Sequence, residues 1–307
     1  MNKPVIKLTS WWEKIIKIWV YLMTVSVLAI ICGLLLLIFG LGLPQLNWHF
    51  FTASSNYLTG GGVGIQLFNT LYILVLTLLI SWPLAFGTAI WLFQYAQQNW
   101  FTKMIRTMLE ILSSLPTIVI GLVGFLVFVV KLQLGFSILS GSLTLTILNL
   151  PLLTSTSENA LRSADQRLQT AGLALGLSNW DCLRKIIIPQ VRPALLTGIV
   201  LSAGRIIGET AALIYTAGQS AIALDWSNWN FLSTGSPLSP FRSAETLAVH
   251  IWKINAEGTI PQTLQISTGS AALLILIIIL FDTAVYGWLW LQQKTIEERK
   301  FRGPFNE

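Results

Sequence analysis

The sequence predicts an all-α protein that crosses a membrane six times. Three observations carry this. Only 10% of the 307 residues are charged and 54% are hydrophobic, with a mean hydropathy of +0.69, whereas soluble domains carry about 25% charged residues. The apolar residues fall in long unbroken runs, and a helix needs about 20 of them to cross the hydrocarbon core; a transmembrane barrel would show short alternating strands instead. The basic residues alternate in density from one intervening segment to the next.

The predicted spans are 18–40, 67–93, 109–130, 137–157, 193–215 and 267–291. The first run is longer than the roughly 7–15 apolar residues of a signal peptide, and bulky "LGLPQLNWHFF" follows it where a cleavage site would need small residues, so it reads as an anchor that stays. The loop after it holds "TGGGVG" at 59–64. No strand precedes these glycines and no GK[ST] follows, so they read as a flexible turn rather than a phosphate cradle. The second and third runs are plain. The fourth is the weakest, with several serines and threonines and Pro151, but such hydroxyls bond within a helix bundle. The fifth ends within "GRIIGETAALIYTAG" (204–218) and the sixth contains Asp282. Three parts result: 1–66, an N-terminal segment, the anchor and a first outer loop; 67–291, the main membrane domain with an inner loop at 158–190; and 292–307, a charged tail.

With the N-terminus inside, the inner segments hold fifteen basic residues and the outer ones only Lys131, Arg242 and Lys253. That is the positive-inside bias, and it places both termini in the cytoplasm. Trp11, Trp12, Trp48, Trp91, Trp100, Trp252 and Trp290 fall near predicted span ends, where aromatic belts lie. The net charge of +6 is accounted for by topology, and a nucleic-acid partner is not expected. A reporter active only outside the cytoplasm should be silent when fused after Lys300 and active when fused near Ser233; the reverse pattern would sink this topology.

Cys32 lies in a span and Cys182 in an inner loop, so no disulfide framework is expected. His49 and His250 stand apart in outer segments and read as ordinary interfacial side chains; metal sites need clustered ligands, so no metal is expected.

The inner loop "SENALRSADQRLQTAGLALGLSNWDCLRKIIIPQVRPALL" spans Ser157 to Leu196. Leu161, Leu168, Ala171 and Leu175 recur at helical spacing. Gly176 ends the pattern as a C-terminal glycine does. Ser178 with Asp181 three residues on forms a variant capping box, and a second short helix stops near Pro189. This apolar helix–turn–helix needs a partner surface; the alternative is an amphipathic loop lying on the membrane.

Arg205 and Glu209, four residues apart, are expected on one helical face about 6 Å apart. Charges there must face the bundle or a wet path. They form either a packing ion pair or a site in which the Arg205 fork meets an oxyanion while Glu209 weakens its grip. Glu110 and Asp282 are further intramembrane carboxylates, with pathway and packing roles both open.

The loop resembles the cytoplasmic signature of ABC importer permeases. That pattern is Glu-Ala-Ala, three residues, Gly, nine residues, Ile, one residue, Leu-Pro. It is matched in spacing by Thr170-Ala171-Gly172, Gly176, Ile186, Ile188 and Pro189, with Thr170 for the Glu, Gly172 for the second Ala and Ile188 for the Leu. "GRIIGETAALIYTAG", "LPTIVIGLVGFLVF" at 115–128, "SENALRSA" at 157–164, "LTGIVLSAGR" at 196–205 and "ETLAVHIW" at 245–252 resemble the PstA-type permease subunits of the phosphate-specific importer. Ala212 and Asp165 stand where those subunits usually have Pro.

The resemblance implies a type I ABC importer permease fold in a bacterial inner membrane. It implies coupling residues at Thr170, Ala171, Gly172, Leu175, Gly176, Ile186 and Pro189, and a phosphate pathway at Arg205, Glu209 and Thr210. The implied partners are a PstC-type second permease, two PstB-type ATPase subunits, a PstS-type periplasmic phosphate-binding protein and membrane lipid. No GxxxxGK[ST] loop is present, so no catalytic residue and no cofactor are expected here; ATP and Mg would bind the partner ATPase. The competing readings are a permease for sulfate or molybdate, the sister phosphate permease, an ion-coupled transporter with Arg205, Glu209 and Asp282 as a relay, and a non-transporting membrane protein.

Overall fold

The computed structural model describes residues 11–52, 62–220, 222–257 and 263–301. Lys3, Lys7, positions 59–61 of the glycine turn and Arg302 lie outside them. All regular structure among the described residues is helical. Among the described residues five single helices are long and apolar enough to cross a membrane, or six segments when one bent pair is counted as a span.

Helix α1 (Trp11–Gly42) lies on the surface and packs along α12 (Thr263–Phe301), where Gly42 meets the Thr268 carbonyl and Ala272. A short α2 (Trp48–Thr52) leads to α3 (Gly64–Ile90), which a π-helical turn extends to Tyr95. Pro83 lies inside α3; neighbouring helices tolerate it because they re-satisfy freed backbone groups.

The predicted third span is not one straight helix. Asn99 caps α4 (Trp100–Ser114), its side chain accepting the Thr102 N–H, and α5 (Thr117–Gly124) with a π-helical continuation to Lys131 leaves α4 at 104°. The cause is Pro116. Its ring pushes the preceding residue out of the helical region, and Leu115 is extended (ψ 137°).

Helix α6 (Ile138–Arg162) starts where the Ser137 side chain accepts the Ser140 N–H, and runs five residues past the predicted end. The weakest span in the sequence is thus the most buried helix of the bundle, packed against α3 and α9 (Ile188–Gly208). In lipid, such packing rests on close fit and internal hydrogen bonds rather than on expulsion of water. Helix α9 also departs from expectation: it ends at Gly208, seven residues early, and a separate short α10 (Ala211–Thr216) follows. Between α6 and α9 lie α7 (Gln166–Ala174) and α8 (Asn179–Cys182), and a π-helical turn joins α8 to α9. The second short helix therefore does not stop near Pro189 as expected: Pro189 lies in the first turn of α9, where its missing N–H costs nothing. In the last connection α11 (Leu247–Glu257) stands where the sequence suggested only loop.

The central core joins Ile73 and Leu74 of α3, Leu145 and Leu148 of α6, Ile206 and Ile207 of α9 and Leu213 of α10. A second cluster, with Leu161, Leu183, Ile187 and Leu195, seats the α7–α8 loop against the bundle end.

Candidate functional site

Local chemistry builds the α7–α8 loop. The single helical pattern expected from Leu161 to Leu175 is split: Leu161 is buried in α6, and Asp165 starts a new helix by accepting the Arg167 N–H at 2.9 Å. Helix α7 then closes in a Schellman motif. The Leu177 N–H donates to the Gly172 carbonyl (3.1 Å) and the Gly176 N–H to the Leu173 carbonyl (3.0 Å), with Gly176 at φ +83°, the left-handed conformation that glycine adopts without strain. The Ser178 oxygen accepts the Asp181 N–H (3.1 Å) and its hydroxyl donates to Asp181 Oδ2 (2.7 Å). Lys185 Nζ lies 2.7 Å from Asp181 Oδ1.

The two short helices touch at Gly172. A Cβ there would come within 2.7 Å of Ile186 Cδ1 and 2.9 Å of Cys182 Sγ, so small size at this position lets buried Cys182 and half-buried Ile186 reach α7. The outward side carries Thr170, Ala171, Gly176 and Pro189, all exposed. It also carries Leu175, 84% exposed, with Leu168, Leu173 and Trp180. A rigidly capped element that presents large apolar side chains away from its own core can meet a partner surface or the membrane face.

The second group lies at the α9–α10 break. Arg205 sits in the last turn of α9 and is half-buried. Glu209 does not share its helical face: α9 has ended, and Glu209 is extended (ψ 127°). Its Oε1 accepts the Ala212 N–H at 3.3 Å, so it caps α10, and Thr210 links the two helices. Among the described residues no ion pair joins Arg205 to Glu209 or to Asp282. The packing ion pair is therefore not what places Arg205 here. Asp282, half-buried in α12, follows Phe281, which packs on the central core. Glu110 lies on α4, exposed, beside a cavity of about 110 Å³ shared with Arg106, Ser113, Ser155 and Glu158.

A third group was missed from the sequence. At the end of the bundle away from the α7–α8 loop, Arg242 is fully buried; its Nη2 donates to Asn69 Oδ1 (2.7 Å), and its guanidinium carbon lies 5.8 Å from the Phe68 ring centre. Burial pulls its pKa down to about 10. Glu245 Oε2 accepts from Gln66 Nε2 (3.1 Å), and His250 Nδ1 lies 3.1 Å from Glu245 Oε1. His250 is thus a buried partner of a carboxylate, not the interfacial side chain expected. This cluster ties the segment before α11 to α3. The legible signal was the polar series Gln66, Asn69, Thr70, Thr77 and Ser81 on an otherwise apolar helix, since such residues face the bundle interior.

A family model described as binding-protein-dependent transport system inner membrane component matches residues 83–296. The chain is 44% identical over 262 residues to the probable ABC transporter permease protein YqgI of Bacillus subtilis, covering 85% of this chain and 89% of that one. It is 31% identical over 216 residues to the phosphate transport system permease protein PstA of Xylella fastidiosa, covering 67% and 74%. Among solved structures, a bacterial ABC transporter involved in import of the acidic polysaccharide alginate aligns with a TM-score of 0.56 at 15% identity, over 90% of this chain and 98% of that one. That last likeness speaks for the fold alone.

Proposed function

The chain belongs to the binding-protein-dependent transport system inner membrane component family and is a multi-pass inner-membrane permease subunit of an ABC importer, and we propose that its cargo is inorganic phosphate. Permeases of this type work with a second permease, ATPase subunits and a substrate-binding protein. In the proposed reading these are the PstC-, PstB- and PstS-type proteins, both termini and the α7–α8 loop face the cytoplasm, and residues 67–291 form the transport domain. ATP and Mg are bound by the ATPase subunits.

The observation that carries the phosphate reading is Arg205. It is a guanidinium without an ion pair among the described residues, half-buried in the bundle beside a helix break that frees backbone groups. A charge so placed faces a wet path, and its planar fork suits a tetrahedral oxyanion. The PstA relatives, at about 30% identity, support the same cargo. Glu209, four residues on in the sequence, is held by the Ala212 N–H and does not neutralise the fork, and Thr210 offers a hydroxyl at the break. ATP closure of the ATPase dimer moves the α7–α8 loops and turns the pathway.

The test is uptake of labelled phosphate in a strain lacking other phosphate importers, with sulfate and molybdate as competitors in excess. Uptake that both competitors leave unchanged is expected. Competition by either would reassign the cargo, and uptake that survives loss of the ATPase but stops when the proton gradient collapses would overturn the ATP-driven mechanism.

A further inference from the structure

Glu158 lies one turn before the end of α6, and its side chain is only 8% exposed. Arg106 of α4 grips it with both ends of the fork: Nη2 donates to Oε1 at 2.7 Å and Nη1 to Oε2 at 3.2 Å. Arg162, the last residue of α6, donates to the same Oε1 from Nε (2.9 Å) and Nη2 (2.8 Å). One carboxylate thus joins two helices, and α7 begins four residues after Arg162.

The other side of this joint leads back to the candidate pathway. Helix α4 has α6 as its principal neighbour, and it turns through the 104° elbow into α5. Helix α5 lies directly on α10: a Cβ on Gly121 would come within 2.8 Å of Ala212 Cα and 3.3 Å of the Ala211 carbonyl oxygen. Ala212 is also the residue whose N–H Glu209 caps. A continuous series of contacts therefore runs from the α7 end of α6 through Glu158, Arg106, the elbow, Gly121 and Ala212 to Glu209, four residues from Arg205.

We propose that Glu158 is a positioning residue for transport, which carries movement of the α7–α8 loop through Arg106 into the α4–α5 elbow and on to the α9–α10 break. The inference rests on reading the α7–α8 loop as the ATPase contact and the break as the pathway. The chemistry suits a joint that must transmit direction and still rearrange. Bidentate carboxylate–guanidinium pairing fixes geometry as well as distance. Side-chain exposures of 42% for Arg106 and 52% for Arg162 keep both cations hydrated enough to exchange partners, since partly exposed pairs hold only weakly. Close packing at Gly121 leaves α5 no slack against α10, so displacement of one moves the other.

The test uses the complete transporter in proteoliposomes with its binding protein, comparing Glu158→Gln, Arg106→Met and the exchange Arg106→Glu with Glu158→Arg. The exchange keeps one carboxylate between two guanidiniums, now on α4. Arg106→Met keeps the Glu158–Arg162 pair, so it guards against a failure of Glu158→Gln to fold. Both neutral variants should lower phosphate-stimulated ATP hydrolysis about tenfold, the equivalent of one hydrogen bond to a charged group, while basal hydrolysis continues; the exchange should restore it.

Hydrogen exchange supplies the readout that a merely structural role would not move. In the unmodified complex, ATP should change exchange in both 166–187 and 100–131. In the neutral variants the change in 166–187 should persist and that in 100–131 should vanish. Persistence in 100–131, or unchanged stimulated hydrolysis in both neutral variants, would overturn the proposal. No ATP-dependent change at 166–187 in the unmodified complex would instead overturn the coupling-loop reading, and this inference with it.

Discussion

Arg205→Met should abolish phosphate uptake while leaving insertion and assembly intact. Methionine matches the apolar stem of arginine and is tolerated in a bundle. Because no ion pair holds Arg205 among the described residues, its removal strands no buried carboxylate, the usual reason such variants fail to fold. In the proposed reading the loss is a guanidinium offering two charge-assisted hydrogen bonds to the anion, each about 1.5–3 kcal/mol, so uptake should fall about a hundredfold or more. Arg205→Lys should recover only part, since an ammonium is a point charge without the planar fork. Glu209→Gln keeps a carbonyl to accept the Ala212 N–H and should spare α10; without the neighbouring negative charge the anion should bind and leave more slowly. Arg205→Met with Glu209→Met should assemble, measured by co-purification of the ATPase, and not import. Normal uptake by Arg205→Met would remove this residue from the pathway.

Where the sequence was legible, the controlling physics was local. Apolar runs of sufficient length reported the spans. The Gly176 and Ser178–Asp181 pattern reported the two ends of the α7–α8 turn, because caps and left-handed glycines act within a few residues of themselves. The failures share a different origin. An unbroken apolar run says nothing of backbone direction, so the elbow at Leu115–Pro116 and the end of α9 at Gly208 were read through; a proline after "SSL" was the available warning for the first. The second hid because Glu209, counted as a helical neighbour of Arg205, instead turns to cap the next helix. Partners at long separation were beyond reach altogether: Gln66 and Glu245 are 179 residues apart, Asn69 and Arg242 173, and only the fold brings them together. The same holds for Arg106 and Glu158, 52 apart, whose pairing explains a carboxylate that the sequence left unremarked.

Gly176→Val should uncouple ATP hydrolysis from transport without disturbing the membrane helices. The backbone there is left-handed (φ +83°), a region where a Cβ crowds the following carbonyl at roughly 1–2 kcal/mol, and a β-branched side chain is a stronger outlier. No atom lies within 4 Å of the position a Cβ would take, so the effect arises from the backbone alone and should rank Asn, then Ala, then Val, since Asn visits this region most readily. Relief of the strain means unwinding the turn. The Leu177 and Gly176 N–H bonds that end α7 would open, and Leu175, the most exposed large apolar side chain of the loop, would lose its direction. Stimulated hydrolysis in the assembled complex should fall about tenfold or more for Val, in line with such a strain, and less for Asn. The yield and helical content of the purified subunit should stay unchanged. Full stimulation by phosphate in the Val variant would show that the shape of this turn is not what the ATPase reads.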